Sequence, residues 1–562
     1  MRIAVKMIAP GLIGVAAFSF FINVLMLAVP IYSLQVYDRV MSSQNVMTLL
    51  LLTAIVVGLL LAYGVLDTVR NRLLVRVGTI YEREIGPRAF VAALKSRATS
   101  GPNALSRTLA DVEAVRRLLS SPALGAVFDL PWTPLYLGLL FLFHPLLGVI
   151  ALGGAVALGV LGLLGELLAK LPSARVGSLG REAGVVVDEA DRNADVVLAM
   201  GLNNSMLKAW LTPHIAAMRE QACAADTSGT LSAISKTFRQ LLQVAMLGVG
   251  AYLAIQNEIS AGVLIAGSII MGRALVPIEG TIGSWHAISL ARSAYGRLER
   301  LLATSAADAA MALPRPEGVL SAENLMVRVP TRTAPILYGV SFDLAPGETL
   351  GVLGRTAAGK TTLARLLVGV LAPTAGQVRL DGTDVSRWPH EDLGPHIGYL
   401  PENPRLFHGT VAQNIARYGE VEAELVIEAA RSADVHEAIQ TLPNGYDTIL
   451  EDDESRMVSG GLRQRIALAR TLYGNPALVV LDEPDSNVDY EGDRALVKAI
   501  VMRKAAKMTT VVISHRQSIL ACVDKVLLLD GGRIETFGPR DAAIAKIRAA
   551  RVLIPPKLPD AA

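Results

Sequence analysis

Hydrophobic positions fall into two regimes along this chain. In the first half they form long runs, near residues 8–35, 46–66, 122–143, 146–169, 238–256 and 261–281. Each run approaches the roughly 20 apolar residues that cross a bilayer as one helix. After Pro314 the runs become short and are separated by polar stretches. Thr349–Leu353, Ala477–Leu481 and Thr510–Ser514 read as buried strands, with helical spacing between them. Between the second and third runs, Leu105–Leu119 carries apolar residues three and four apart and reads as an amphipathic helix. The pattern predicts a transmembrane domain over 1–302, a linker over 303–318, an α/β domain over 319–550 and an irregular tail over 551–562. The linker is rich in small residues and ends with Pro314 and Pro316.

Composition agrees with this division. The chain has 562 residues, 52% of them hydrophobic and 18% charged, too long for one ordinary core. The first run has a basic start at Arg2 and Lys6, but more spans follow it and it lacks a convincing small-residue cleavage site. It is expected to be the first transmembrane helix and not a cleaved signal peptide. Lys and Arg concentrate in the segments from Arg70 to Arg117 and from Lys170 to Lys236, whereas the other connections are short and nearly free of positive charge. Positive charge marks the cytoplasmic side, so both termini, the two long connections and the α/β domain are expected there. The long connections are expected to be helical extensions of the spans with short crosswise helices at their tips. Net charge is only +3, which gives no argument for nucleic acid. Cys223 and Cys522 have no metal-ligand spacing and read as reduced structural thiols.

The candidate chemistry lies in the second half. Gly354, Arg355, Thr356, Ala357, Ala358, Gly359, Lys360 and Thr361, followed by Thr362, form a phosphate loop between a buried strand and a helix. Backbone N–H groups at the helix start suit phosphates. Lys360 supplies a charge to the β/γ-phosphates and the Thr361 hydroxyl is a Mg²⁺ ligand. Asp482 ends an apolar strand and is placed as a metal ligand. Glu483 follows as the general base for the attacking water, and His515, after another strand, as a γ-phosphate contact. Ser459, Gly460 and Gly461 open another helix. The phosphate loop already has its own helix start, so this second anion site is best explained by a second nucleotide, held between two copies of the domain.

These motifs resemble the nucleotide-binding domain of ABC transporters. The membrane half is similar to type I secretion exporters of the PrtD type. The matching stretches are Leu27–Arg39, Phe128–Pro134, His144–Gly148, Gly272–Pro277 and Gly283–Trp285. The resemblance implies the six-helix fold of ABC exporters joined to an α/β P-loop ATPase, using ATP and Mg²⁺. It also implies an inner-membrane homodimer that works with a periplasmic adaptor and an outer-membrane tunnel. The cargo would be an unfolded secreted polypeptide with a C-terminal signal. Ser486, Asn487 and Asp489 take the place of the family's D-loop, and Glu402 stands where a Gln usually meets Mg²⁺ and the γ-phosphate. Val458, Leu462 and Ala357-Ala358 also depart from the usual pattern, and no adenine-stacking aromatic is evident in Val327–Thr331. Arg273, within the sixth run, is either a contact on the transport path or between subunits, or a polar anchor. Asp38, Arg39 and Asp129 read as structural. Two alternatives stay open: an exporter of lipid, drug or peptide, and a nucleotide-binding regulatory subunit of a heterodimer.

Overall fold

The computed structural model describes residues 2–100, 104–305, 314–328, 334–450, 458–485 and 490–552. The chain divides into two compact units, Met1–Ser305 and Ala306–Ala562.

The first unit is helical: α1 (Arg2–Leu25), α2 (Ala28–Gln35), α3 (Met41–Ser43), α4 (Val46–Ser100), α5 (Ala104–Leu119), α6 (Pro122–Asp129), α7 (Thr133–Phe143), α8 (Pro145–Arg192), α9 (Ala194–Ala199), α10 (Asn203–Ile255), α11 (Ala261–Gly283) and α12 (Trp285–Ser305). Among the described residues six stretches are long and apolar enough to cross a membrane: Lys6–Ser43, Val46–Ser96, Pro122–Phe143, Pro145–Gly165, Asn203–Ile255 and Ala261–Gly283. The first is broken by a turn at Met26–Leu27 and by a π-helical turn over Val36–Val40.

The second, fourth and fifth helices continue well past their apolar runs. α4, α8 and α10 have 55, 48 and 53 residues, or about 70–80 Å at 1.5 Å per residue, against a hydrocarbon core of about 30 Å. Beyond the apolar run α4 keeps a helical stripe. Leu74, Val77, Tyr81, Ile85, Ala89 and Ala92 are buried at spacings of three and four. Most of this stripe packs with Val112 and Val115 of α5 and with Ala291, Ala294 and Leu298 of α12. Burial of that face replaces lipid as the reason for the helix to persist. A second core joins Tyr136, Leu140, Leu147, Ala151 and Leu158 to Met246, Leu253, Met271 and Leu275. The short α9 lies between α8 and α10.

Two polar clusters tie this unit together. Arg70 on α4 donates to both Asp129 oxygens at 3.0 Å and to Asp67 at 2.7 Å. Asn23 donates to Asp129 at 2.8 Å, and the Tyr136 hydroxyl donates to the Asn23 carbonyl at 2.9 Å. The guanidinium thus links α1, α4 and α6, and Tyr136 joins α7 to the same cluster through Asn23. The second cluster gathers the short connections. Asp38 accepts from the Gly262 N–H at 2.9 Å and the Ser260 hydroxyl at 2.6 Å, and the Ser260 oxygen caps α11 by accepting from Val263 N–H at 3.1 Å. His144 caps α8, its Nδ1 accepting from Leu146 N–H at 3.2 Å. The ring proton therefore sits on Nε2, which donates to Glu258 at 3.0 Å.

The second unit has two main sheets. A four-stranded antiparallel sheet runs in the order Leu337–Leu344, Leu320–Val327, Ala375–Leu380, Thr383–Asp384. A six-stranded sheet runs Arg533–Pro539, Lys525–Asp530, Thr349–Gly354, Thr509–Ile513, Leu478–Asp482, Ile397–Leu400. Its last five strands are parallel, and the Arg533–Pro539 edge strand is antiparallel. Thr509–Ile513 and Leu478–Asp482 are buried throughout, as expected of parallel strands covered on both faces. One core lies around the first sheet and the phosphate-loop helix, with Leu325, Val340, Leu363, Leu367 and Trp388. Another lies under the helices after Leu400, with Val411, Ile415, Ile439, Ile466 and Leu468.

Candidate nucleotide site

Parallel strands deliver their C-terminal ends, and the loops that follow them, to one side of a sheet, and ligands collect there. Strand Thr349–Gly354 leads into the loop Arg355–Gly359 and the helix Lys360–Leu367. Ala357 has φ +64° and Gly359 φ +99°. At Gly359 a Cβ would sit 2.7 Å from Leu337 and 3.2 Å from the Ile336 carbonyl, so the turn requires glycine there. Ala358 is buried in the core, which anchors the loop from below, while Arg355, Thr356 and Ala357 are exposed. Thr362 follows Thr361 in the helix, and both are half-buried.

The sequence-predicted residues converge at this point. The Lys360 ammonium, on a side chain only 8% exposed, donates to the Gly354 carbonyl at 3.0 Å. It also lies 2.8 Å from His515 Nε2 and 3.3 Å from Glu483. The Thr361 hydroxyl donates to Asp482 at 3.4 Å. Asp482 is 1% exposed and its Oδ2 is buried without a hydrogen-bond partner. Burial pushes its carboxyl above the ordinary value. The negative charges of Glu483 and Glu402 push the same way, and the Thr361 hydroxyl and Arg365 oppose them. Glu483 has φ +46°, unusual for a non-glycine residue, with its N–H donating to the Ile513 carbonyl at 3.0 Å. Glu402 is exposed, two residues past a strand whose Leu400 pairs with Leu481.

A buried carboxylate oxygen with no partner, beside a hydroxyl, is the donor set that a hard cation would complete. Among the described residues no three His, Cys, Asp or Glu side chains converge tightly enough to hold a metal by themselves. Asp482 and Thr361 therefore offer a partial donor set that a hard cation would complete with other oxygens, and not a closed protein cage.

Ser459 is the N-cap of the helix Gly460–Leu472, its hydroxyl accepting from Leu462 N–H at 3.3 Å. A Cβ on Gly460 or Gly461 would meet nothing within 4 Å, so this helix start is open. Ser486, Asn487 and Asp489 lie outside the described residues, as does most of the stretch searched for an adenine-stacking aromatic. Arg273 is half-buried on α11, within electrostatic reach of Tyr63 and Tyr136. Among the described residues it makes no hydrogen bond or ion pair. Asp129 and Asp38 have the structural partners given above.

Sequence reasoning missed the residues that hold these groups in place. The Gln464 amide donates to the Pro484 carbonyl, tying the Ser459 helix to the turn after Glu483. Asp485 accepts from the Ser514 hydroxyl at 2.9 Å, and Arg516 donates to the Asp485 carbonyl at 3.0 Å, bracketing His515. Arg365 lies close enough to Tyr399 for its charge to act on the phenol. Polar residues flanking a motif give no signal of their own until the strands are placed side by side.

Residues 337–486 match the family model of the ABC transporter, and residues 12–276 that of the ABC transporter transmembrane region. The chain is 38% identical over 539 residues to the type I secretion system ATP-binding protein PrsD of Rhizobium meliloti, covering 95% of this chain and 92% of that one. It is 27% identical to the alpha-hemolysin translocation ATP-binding protein HlyB of Escherichia coli O157:H7, covering 95% and 76%. It is also 27% identical to the cyclolysin secretion/processing ATP-binding protein CyaB of Bordetella pertussis, with the same coverage. In fold it is similar to a bacterial Atm1-family ABC exporter with ATP bound, with TM-score 0.83, 22% identity and coverage of 98% and 99%. Fold and site thus define an ABC exporter, a multi-pass membrane protein that binds and hydrolyses ATP. Within that class, the chain belongs to the type I secretion ATP-binding protein family.

Proposed function

We propose that this chain powers the export of unfolded polypeptide, as the ATPase and permease of a type I secretion system. The observation that carries the reading is its likeness, across both halves, to proteins named for type I secretion and for toxin translocation. In this reading it spans the inner membrane among lipids, with its ATPase half in the cytoplasm. It works as a homodimer with a periplasmic adaptor and an outer-membrane tunnel. Arg273 is then a candidate lining residue of the polypeptide path. A cation at membrane depth costs about 2.5–3.5 kcal/mol on insertion scales, and water or cargo carboxylates in a path would offset that cost.

The site supports the following division of labour. Backbone N–H groups from Gly354 to Thr361 cradle the phosphates of ATP at the positive end of a helix dipole. Lys360 exchanges its contacts with Gly354 and Glu483 for the β/γ-phosphates. Thr361, Asp482 and Glu402 would hold Mg²⁺, which would neutralise phosphate charge. Glu483, released from Lys360, accepts a proton from the attacking water. His515 hydrogen-bonds the γ-phosphate. Ser459, Gly460 and Gly461 grip the nucleotide of the partner copy, with Ser486, Asn487 and Asp489 at the same interface.

Glu483→Gln tests this assignment. Purified protein should retain MgATP binding, while turnover falls about hundredfold or more. In cells, one secreted polypeptide should disappear from the culture medium. Unchanged hydrolysis would sink the role of Glu483. An unchanged medium with altered membrane lipids would point to a lipid exporter instead.

A further inference from the structure

We infer that Glu402 makes nucleotide binding itself, and not hydrolysis alone, depend on a divalent cation. The inference rests on the reading of the phosphate loop as the ATP site and goes beyond it by assigning a specific consequence to one side chain.

The placement follows from strand register. Ile397–Leu400 runs parallel to Leu478–Asp482, with Leu400 opposite Leu481. Both strands leave the sheet at the same end. Glu402 therefore lies two residues beyond Leu400, where Asp482 and Glu483 follow Leu481. Three carboxylates gather at this end. Asp482 is buried with an unpartnered oxygen, Glu483 lies 3.3 Å from Lys360, and Glu402 is close enough for its charge to act on both Asp482 and Tyr399. Lys360 and Arg365 are among the cations interleaved with them. Compared with an amide at 402, the carboxylate adds one negative charge to this set. The exposed Arg355 of the loop is present in either case, so the difference remains one full negative charge.

That charge acts in opposite directions on the two ligands. It repels a triphosphate held at the phosphate loop, and it attracts a divalent cation. The acidic side chains cannot complete a metal's shell among themselves, so phosphate oxygens must supply the rest. Each ligand then needs the other. Coupling between two ligands is reciprocal, and Glu402 enlarges it beyond what a glutamine in its place would produce.

The test compares wild type with Glu402→Gln, using a non-hydrolysable fluorescent ATP analogue on the detergent-solubilised full chain. Kd is measured once in millimolar Mg²⁺ and once in EDTA. In wild type the EDTA value should exceed the Mg²⁺ value by a much larger factor. In Glu402→Gln that factor should shrink about tenfold, equivalent to one full decade in Kd, chiefly through tighter binding in EDTA. A factor that shrinks less than threefold overturns the inference. Glu402→Ala, which removes the charge without a replacement amide, must give the same result and serves if Glu402→Gln misfolds. Wild-type protein that fails to bind the analogue even with Mg²⁺ would instead overturn the ATP-site reading.

Discussion

Asp482 is held in a site that disfavours its charge until ligands arrive. Its carboxyl is raised above the ordinary value by burial first, with Glu483 and Glu402 adding to the effect. The sign of the consequence is fixed by linkage. The unfolded chain releases this proton more readily than the fold does. Ionised Asp482 therefore weakens the nucleotide-free fold at every pH above its raised value, and the penalty fades as pH falls below it. Asp482→Asn should accordingly raise the unfolding temperature of nucleotide-free protein at neutral pH, while cutting ATP turnover about hundredfold. Thermal unfolding with and without MgATP checks both halves, because the variant should also lose the stabilisation that ligand gives wild type. A lower unfolding temperature without nucleotide would show that Asp482 stabilises the empty fold. At this scale the sequence is informative about residues that do chemistry and silent about those that position them. Lys360, Thr361, Asp482 and Glu483 announce themselves by the strand or loop that precedes them. Gln464, Asp485 and Arg516 do not, because their partners are brought near only by the sheet.

The helical elements show where hydrophobic pattern is a sufficient guide and where it stops. The apolar runs locate the spans, and spacing alone predicts the helix over Leu105–Leu119 that the structure forms as Ala104–Leu119. Run length underestimates α4, α8 and α10, since a transmembrane criterion ends where charges begin, whereas a helix ends where its backbone loses partners. The π-turn Val36–Val40 is equally invisible, because no proline or glycine marks the turn that carries Asp38, whereas the break at Met26–Leu27 has a signal in Pro30, which has no N–H to bond the Met26 carbonyl. Gly262 shows how tightly that contact is built. A Cβ there would fall 2.5 Å from the Asp38 carboxylate. Gly262→Ala should lower stability in detergent by about 1–3 kcal/mol, the usual cost of overpacking. Asp38→Ala, which removes the N-terminal partner without a clash, should cost about 1 kcal/mol, and the double variant should cost less than the sum. Denaturation midpoints of the three proteins provide the comparison, and strict additivity would show that the two side chains do not interact.

Across the membrane half, one charged residue ties three helices together. Arg70 is 11% exposed and is shared between Asp129 and Asp67. Removing it as Arg70→Ala strands two carboxylates and should cost about 3–5 kcal/mol, whereas Arg70→Met with Asp129→Leu should recover much of the loss. Thermal unfolding of the solubilised chain is the readout, and a double variant no better than Arg70→Ala would show that the node does more than balance charge. The role of Arg70 is hidden in the sequence among the basic residues of the long connections, since charge bias carries no information about partners 59 positions away. The short connections have a different consequence. Residues 258–262 meet His144 on one side and Asp38 on the other, so three hairpin tips share one fastening. Like staves hooped at a single end, they lean together and do not splay. In the dimer proposed above, a passage that widens at this end of the bundle would open along the seam between the two copies, leaving each one's own rim unbroken.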